Sequence, residues 1–442
     1  MTRTSSNMEK PLCQPPRKLT DWLNPDGQRK AHSLVDKVYE PKNLRGAWER
    51  VKANRGSGGV DGQSLDEFER DCDQHLRRLH EDLRTDHYQP LPVRRVNIPK
   101  AGKPGETRPL GIPTVIDRVC QEALLNRLEP IFEPLFDDSS FGYRPGRSAK
   151  GALRKMWREI DAGAEWIVDA DLKDYFGSID HEKLMTLVAQ RVADGRVLTL
   201  IERMLTAGVV DEGRLFPTTQ GTPQGGVVSP LLSNILLTPF DREMRRRGYQ
   251  LTRYADDWAV TCRSRHEAEA ALRCAGKILA ALGVQLNLRK TRIVHVRHGI
   301  AFLGYMIRRG RQALYLPAAR IKSNAQRGGL YAYPTQKSID RFKDSVRRKT
   351  QRRIPLSTAD LIRELNPVIR GWGEYYKRAH VRRLFNQLDR WVERRLWSHR
   401  FRRWRCVGWK VLPTRRLRGE LGLVSLIGLI PSLSSRHMAA SS

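Results

Sequence analysis

Acidic residues are scarce in this 442-residue sequence: 48 Asp and Glu stand against 80 Lys and Arg, for a formal charge of +32. Paired cysteines are missing too. Cys13, Cys72, Cys120, Cys262, Cys274 and Cys406 form no CxxC motif, which excludes a zinc ribbon and a disulfide framework and suits a reducing cytoplasm. His295 and His298 have no Cys or carboxylate cluster beside them, so no zinc site is expected. No apolar stretch of signal-peptide length occurs near the N-terminus. The longest late apolar run, Leu421 to Ile430, is interrupted by Ser425 and Gly428 and is too short to cross a bilayer. The expectation is a soluble, cytoplasmic protein with no membrane partner.

The charge excess points to a polyanion. Lys and Arg that neutralise phosphates release condensed counterions, so nucleic acid is the first candidate partner and a nucleoid-associated protein the expected setting. The length is enough for a sizeable core and two or three structural units.

Residues 1–42 read as a flexible leader, since Pro11, Pro15, Pro16, Pro25 and Pro41 interrupt any periodicity. Leu44, Ala47, Trp48 and Val51 then fall at helical spacing, and a second helix is expected over Ser64 to Arg84. Val93 to Ile98 and Arg108 to Ile112 read as a hairpin around the basic turn Lys100 to Glu106, followed by a helix from Pro113 to Phe132. Trp166 to Leu172, Leu251 to Tyr254, Trp258 to Cys262, Arg292 to Val296 and Ala301 to Ile307 read as strands separated by helices, which gives an α+β class. Strand signals stop near Leu316. Helices rich in Arg and Trp run from Ser338 to about Arg405, so a boundary is expected between Arg308 and Pro317.

The strongest local signal is Arg253-Tyr254-Ala255-Asp256-Asp257-Trp258, two adjacent carboxylates in a short turn between apolar strands. Hard Mg²⁺ takes oxygen ligands and keeps positions open for phosphate, so such a pair suits two-metal phosphoryl transfer. Upstream, Asp169 and Asp171 stand two apart on a strand and share a face, and either could be the partner carboxylate. Between the two segments, Thr219 to Leu232 contains Gly221, Gly225 and Gly226, which let backbone approach a ligand closely.

In this order the motifs resemble those of group II intron reverse transcriptases, across nearly all of residues 43–405. Pro99-Lys100 with Arg108 to Pro113, and Phe141 to Ser148, look like finger motifs. Asp169 to Phe176, Gln220 to Leu232, Tyr254 to Asp257, Leu282 to Thr291 and Phe302 to Tyr305 look like palm motifs. Asn366 to Lys377, continued by Leu384 to Trp404, resembles the maturase (X/thumb) motif.

That resemblance implies a right-hand polymerase of fingers, palm and thumb with a basic helical maturase domain. Its divisions would be an N-terminal extension of the fingers over 43–78, fingers and palm over 79–307, a thumb/maturase domain over 308–405 and a C-terminal tail over 406–442. The implied metal-binding, catalytic carboxylates are Asp171, Asp256 and Asp257, with two Mg²⁺ or Mn²⁺ as a substitute. Asp171 is preferred to Asp169 because in related enzymes the metal-binding Asp lies five residues before an aromatic, here Phe176. By the same carry-over Phe176 is the gate against a ribose 2′-OH. Lys100, Arg108 and Gln224 would contact the dNTP, and Arg144 and Arg147 template or triphosphate. Arg382, Arg383, Arg394 and Arg395, on a helix whose other face is apolar, would meet structured RNA. The implied partners are group II intron RNA, an RNA template with a DNA primer, and dNTPs. No HNH endonuclease pattern is present in 405–442.

Two rival readings remain at this point: a domesticated reverse transcriptase serving in phage defence or beside a CRISPR system, and a splicing-only maturase. Intact Gly371-Trp372 and Tyr375-Tyr376 favour the intron reading, and the retained carboxylates with Phe176 and Gln224 oppose decay of the polymerase.

Overall fold

The computed structural model describes residues 22, 23, 27, 29–99, 105–310, 329–401 and 408–431. Two compact units divide the chain, Met1–Ile293 and Val294–Ser442.

In the first unit, α1 (Val35–Tyr39) and α2 (Pro41–Asn54) come first, with Pro41 in the opening turn of α2, where its missing N–H costs nothing. The α2 face of Leu44, Ala47, Trp48 and Val51 is buried. The helix expected over 64–84 is two, α3 (Leu65–Arg70) and α4 (Cys72–Arg84), broken at Asp71. Ser64 opens α3 with a capping box to Glu67. Because α4 runs through residue 78, the expected domain edge there falls inside a helix.

The strands β1 (Val93–Pro99) and β2 (Thr107–Ile112) form the expected hairpin, and α5 (Val115–Phe132) follows, capped by Thr114. Then come α6 (Ala149–Asp161), β3 (Trp166–Asp171), α7 (His181–Val188), α8 (Gly195–Thr206), β4 (Val209–Asp211), β5 (Arg214–Phe216) and α9 (Ser229–Arg246). The sequence continues with β6 (Gln250–Tyr254), β7 (Asp257–Cys262), α10 (Arg265–Ala281) and β8 (Arg292–His295). Two four-stranded sheets result, ordered β2-β1-β4-β5 and β6-β7-β3-β8. Helices α9 and α10 pack beside the second sheet, whose inner side chains Val168, Ala170, Trp258 and Val260 are buried.

The expected leader is corrected at its described residues; 1–21, 24–26 and 28 lie outside them. Trp22 and Leu23 are buried, the Leu23 amide donates to Gln190, and the Asp194 carboxylate accepts from the Leu34 and Val35 amides at 2.7 and 2.9 Å. Prolines removed the helical period from this stretch without removing its buried anchors.

The second unit holds a three-stranded sheet, β11-β10-β9, from β9 (Ile300–Phe302), β10 (Tyr305–Arg309) and β11 (Leu330–Pro334). Strands therefore continue past residue 316, and the two compact units divide at 293/294. Next come α11 (Gln336–Lys349), α12 (Thr358–Tyr376), α13 (Arg382–Phe401) and the short α14 (Gly408–Val411). The expected tail is also corrected over its described residues, 408–431: Leu412, Leu417, Leu423 and Leu426 are buried. Buried Asp389 on α13 accepts from Ser425 Oγ and the Leu426 and Ile427 amides, while Arg418 pairs with Glu393 at 2.8 Å. This strap of 412–429 completes the helical core. Among the described residues, no helix is long and apolar enough to cross a membrane.

Candidate active site

The register of the second sheet builds the site. Tyr254 pairs with Asp257, which leaves Ala255 and Asp256 as a two-residue hairpin loop between β6 and β7. Ala255 has φ +58° and Asp256 does not share a positive φ, the pattern of a II′-like turn whose first loop position usually takes glycine. Such a conformation costs on the order of 1–3 kcal/mol and needs its surroundings to hold it. Gly142 lies against the turn so closely that a Cβ there would stand 2.2 Å from the Ala255 nitrogen.

On the neighbouring strand Asp171 pairs with Asp257, whereas Asp169 lies opposite Ala259. Asp171 Oδ2 accepts from Lys290 Nζ at 2.5 Å and from Asn287 Nδ2 at 3.3 Å, and Asp169 is held by Arg292 at 2.9 Å. Burial, then the charges of Asp256, Asp171 and Asp169, push the Asp257 carboxyl up to about 7. Burial and the Asp171 charge also raise Asp256, against the pull of Arg108 and Lys290. These groups repel one another, a strain that a cation relieves. Among the described residues no three His, Cys, Asp or Glu side chains form a ready-made metal cage. Mg²⁺ is commonly held by one or two carboxylates plus substrate phosphates, so the donor set fits metal that arrives with its substrate.

The glycine-rich loop closes over Phe176. The Thr222 amide donates to the Phe176 carbonyl at 2.7 Å, and a Cβ at Gly221 would stand 2.8 Å from the Gly177 oxygen. The Phe176 ring is buried, 5.5 Å from Tyr175. Gln224 accepts the Gly111 amide through its backbone oxygen at 2.8 Å, which ties this loop to β2. Arg108, exposed on β2, acts electrostatically on Asp256, while Lys100 lies outside the described residues.

Residues 98–307 match the family model for reverse transcriptase (RNA-dependent DNA polymerase), and residues 339–416 that for the group II intron, maturase-specific domain. Over 336 residues the chain is 34% identical to Protein YkfC of Escherichia coli strain K12, a match spanning 67% of this chain and 88% of that protein. The chain belongs to the group II intron reverse transcriptases. It is 27% identical over 460 residues to the group II intron-encoded protein LtrA of Lactococcus lactis subsp. cremoris, covering 85% of this chain and 76% of that one. A chain of a solved partial Cas6-RT-Cas1--Cas2 complex is 23% identical, with a TM-score of 0.37 over 56% of this chain and 42% of that chain.

In this reverse transcriptase the carboxylates, Phe176, Gln224 and Arg108 all fall within the matched polymerase segment, and the four C-terminal arginines fall within the maturase segment. Arg382, Arg383 and Arg394 are exposed on α13. Arg395 is partly buried and donates to Thr350 Oγ1 and O at 2.9 and 3.0 Å, so it also fastens α13 to the end of α11. It lines a polar cavity of ≈ 540 Å³ with Gln351, Arg352, Arg353 and Ser398. The Arg144 side chain is only 4% exposed and is engaged by Glu133 and by the carbonyls of Asp137 and Ser140, so it holds its own loop. Arg147 stays at the surface, paired with Asp138 at 2.6 Å.

Several groups at the site escaped the sequence reading. Lys290 and Asn287 on Asp171, Arg292 on Asp169, and half-exposed Tyr143 in the field of Asp256 all lie outside the carboxylate segments. The only sequence signal for Lys290 was its place in the motif Leu282 to Thr291. Nothing local linked it to Asp171, 119 residues away.

Proposed function

We propose that this RNA-directed DNA polymerase, which also serves intron splicing and mobility, extends a DNA primer on an RNA template through Asp171, Asp256 and Asp257. Enzymes of this family generally work with divalent metal, Mg²⁺. When bound, two such ions, Mg²⁺ or substituting Mn²⁺, supply activation of the primer 3′-OH and neutralise charge at the departing pyrophosphate. The protein's part is to hold the three carboxylates at adjacent strand ends, where their mutual repulsion leaves a cation as the favoured occupant. Arg108, whose charge acts on Asp256, meets the triphosphate, and Lys100 is assigned the same task by its motif. Gln224 lies on the loop that β2 anchors, and there it contacts the incoming nucleotide. Phe176, fixed from behind by that loop, fills the space a ribose 2′-OH would need. In the maturase unit, Arg382, Arg383 and Arg394, with Arg395 at the margin of its cavity, take phosphates of the intron RNA. Arg147 contributes to template binding after exchange with Asp138.

The observation that carries this reading is the register that sets Asp171 opposite Asp257 beside the Asp256 turn. Asp256→Asn removes one charge without changing size. Extension of a DNA primer on an RNA template should fall by at least about a thousandfold, a loss of roughly 4 kcal/mol of transition-state stabilisation, with primer–template binding retained. Wild-type extension rates would overturn the assignment.

A further inference from the structure

The residue before the signature turn is a fully buried cation, Arg253, with no exposed surface, and so are its partners Asp241 and Asn234 on α9 and Ser140 on the loop ahead of α6. All five guanidinium N–H groups are used. Nε and one Nη2 hydrogen grip the Asp241 carboxylate at 2.7 and 2.5 Å, and the second Nη2 hydrogen reaches Ser140 Oγ at 2.8 Å. Nη1 donates to Asn234 Oδ1 at 3.0 Å and to the Ala255 carbonyl at 2.9 Å. Burial disfavours the Arg253 charge, and Asp241 outweighs burial, so the guanidinium stays protonated.

The last of these bonds matters most for chemistry. Ala255 C=O and Asp256 N–H belong to one rigid plane, the central peptide of the two-residue turn. Types II′ and I′ share the strand pairing and differ by rotation of that peptide, which would force Asp256 to a positive φ and re-aim its N–H and side chain. Holding the Ala255 oxygen back toward α9 selects one of the two. The finger loop takes part as well: the Phe141 amide donates to the Arg253 carbonyl at 2.9 Å, the Arg253 amide to Ser139 at 2.8 Å, and Asn234 Nδ2 to the Gly142 carbonyl at 2.9 Å. Gly142 lies close against the Ala255 nitrogen.

We propose that Arg253 is a positioning residue for polymerisation, whose guanidinium locks the central peptide of the Asp256–Asp257 turn and couples that lock to the 139–142 finger loop. This rests on Asp256 and Asp257 being the metal-holding carboxylates. A purely structural alternative makes Arg253 half of a buried ion pair that any well-packed substitute could replace. Buried pairs exchanged for apolar residues of similar volume often keep or gain stability, and this provides the test.

The double variant Arg253→Met, Asp241→Leu should fold with a melting temperature near wild type and bind primer–template normally. Its Ala255 carbonyl is released. Mn²⁺ binding followed by electron paramagnetic resonance should weaken at least about tenfold, and single-turnover incorporation should fall by a similar factor with the dNTP KM little changed. Ser140→Ala removes the guanidinium's bond to the finger loop but leaves its bond to Ala255, so Mn²⁺ affinity and kcat should fall in the same direction but by less than in the double variant. Normal Mn²⁺ binding and kcat in the double variant would overturn the proposal. Should the double variant not fold, Arg253→Lys, which keeps the charge on Asp241 but cannot span to Ala255, replaces it with the same expectations. Failure of the underlying assignment would show separately, as Asp256→Asn retaining activity.

Discussion

Burial and three neighbouring carboxylates push the Asp257 carboxyl up to about 7, so at neutral pH a cation competes with a proton for it. As pH rises through about 7 the group ionises and its hold on metal strengthens. Mn²⁺ affinity measured by paramagnetic resonance should therefore tighten as pH rises from about 6 to about 8, then level off. Asp171→Asn removes one repelling charge and should move the midpoint downward; an unmoved midpoint would contradict the coupling. The same shift bears on stability with the opposite sign. Between the ordinary value of 3.8 and about 7 the folded chain binds a proton that the unfolded chain releases, so this group's contribution to stability falls as pH rises across that window. Asp257 keeps access to solvent, which softens the effect. At Phe176 the consequence is steric: Phe176→Val should relax discrimination against ribonucleotides, read as the ratio of rNTP to dNTP incorporation efficiency. An unchanged ratio would remove the gate role.

Helix α13 carries two kinds of arginine that look alike in sequence. Arg382, Arg383 and Arg394 face solvent, whereas Arg395 is bound to Thr350. Replacing the first three by Gln should leave the melting temperature unchanged and weaken binding to intron RNA. The log affinity against log salt slope should become shallower by roughly 0.7 to 0.9 for each phosphate that is no longer neutralised. Arg395→Gln should also destabilise the unit, by about 1–3 kcal/mol for the charged bonds to Thr350. If the triple variant keeps the wild-type slope, that face only solvates the helix. Elements of this kind mark what was legible beforehand. The alternation around Asp256 and Asp257 identified β6 and β7, and helical spacing identified α2 and α13. The pairing of Lys290 with Asp171 and of Arg253 with Asp241 depends on which elements become neighbours, and periodicity does not record that. The partners of Arg144, Glu133 and Asp137, come from the loop it closes, and no periodicity marks them either. Strand β11 was missed because a five-residue Leu-Tyr-Ala-Tyr-Pro stretch is too short for its alternation to stand out.

At the scale of the molecule, a charge of +32 gives attraction to polyanions, and the two units use it differently. The first concentrates acid at one point, and the second spreads arginine over a helical face. The second also depends on residues far down the chain. Ending the protein after Arg405 would leave the buried Asp389 carboxylate without Ser425, Leu426 and Ile427, and Glu393 without Arg418. Such a truncation should lower the melting temperature of the maturase unit by several degrees and abolish intron RNA binding, while an intact first unit is still detected by its own unfolding transition. An unaltered second transition would show that the strap is dispensable.

The strap also sets an order of events during translation. Leu417, Leu423, Leu426 and Leu429 leave the ribosome after α12 and α13, yet those helices cannot finish burying Gly373 and Asp389 without them. The polymerase unit emerges earlier, and at roughly 5–20 residues per second it has seconds in which to fold before the maturase helices are sealed. During that interval the nascent chain presents a folded catalytic half beside a half that is still open. A chain cut short before the strap would thus yield a polymerase lacking a finished grip on the intron, and protease-sensitive helices would betray it.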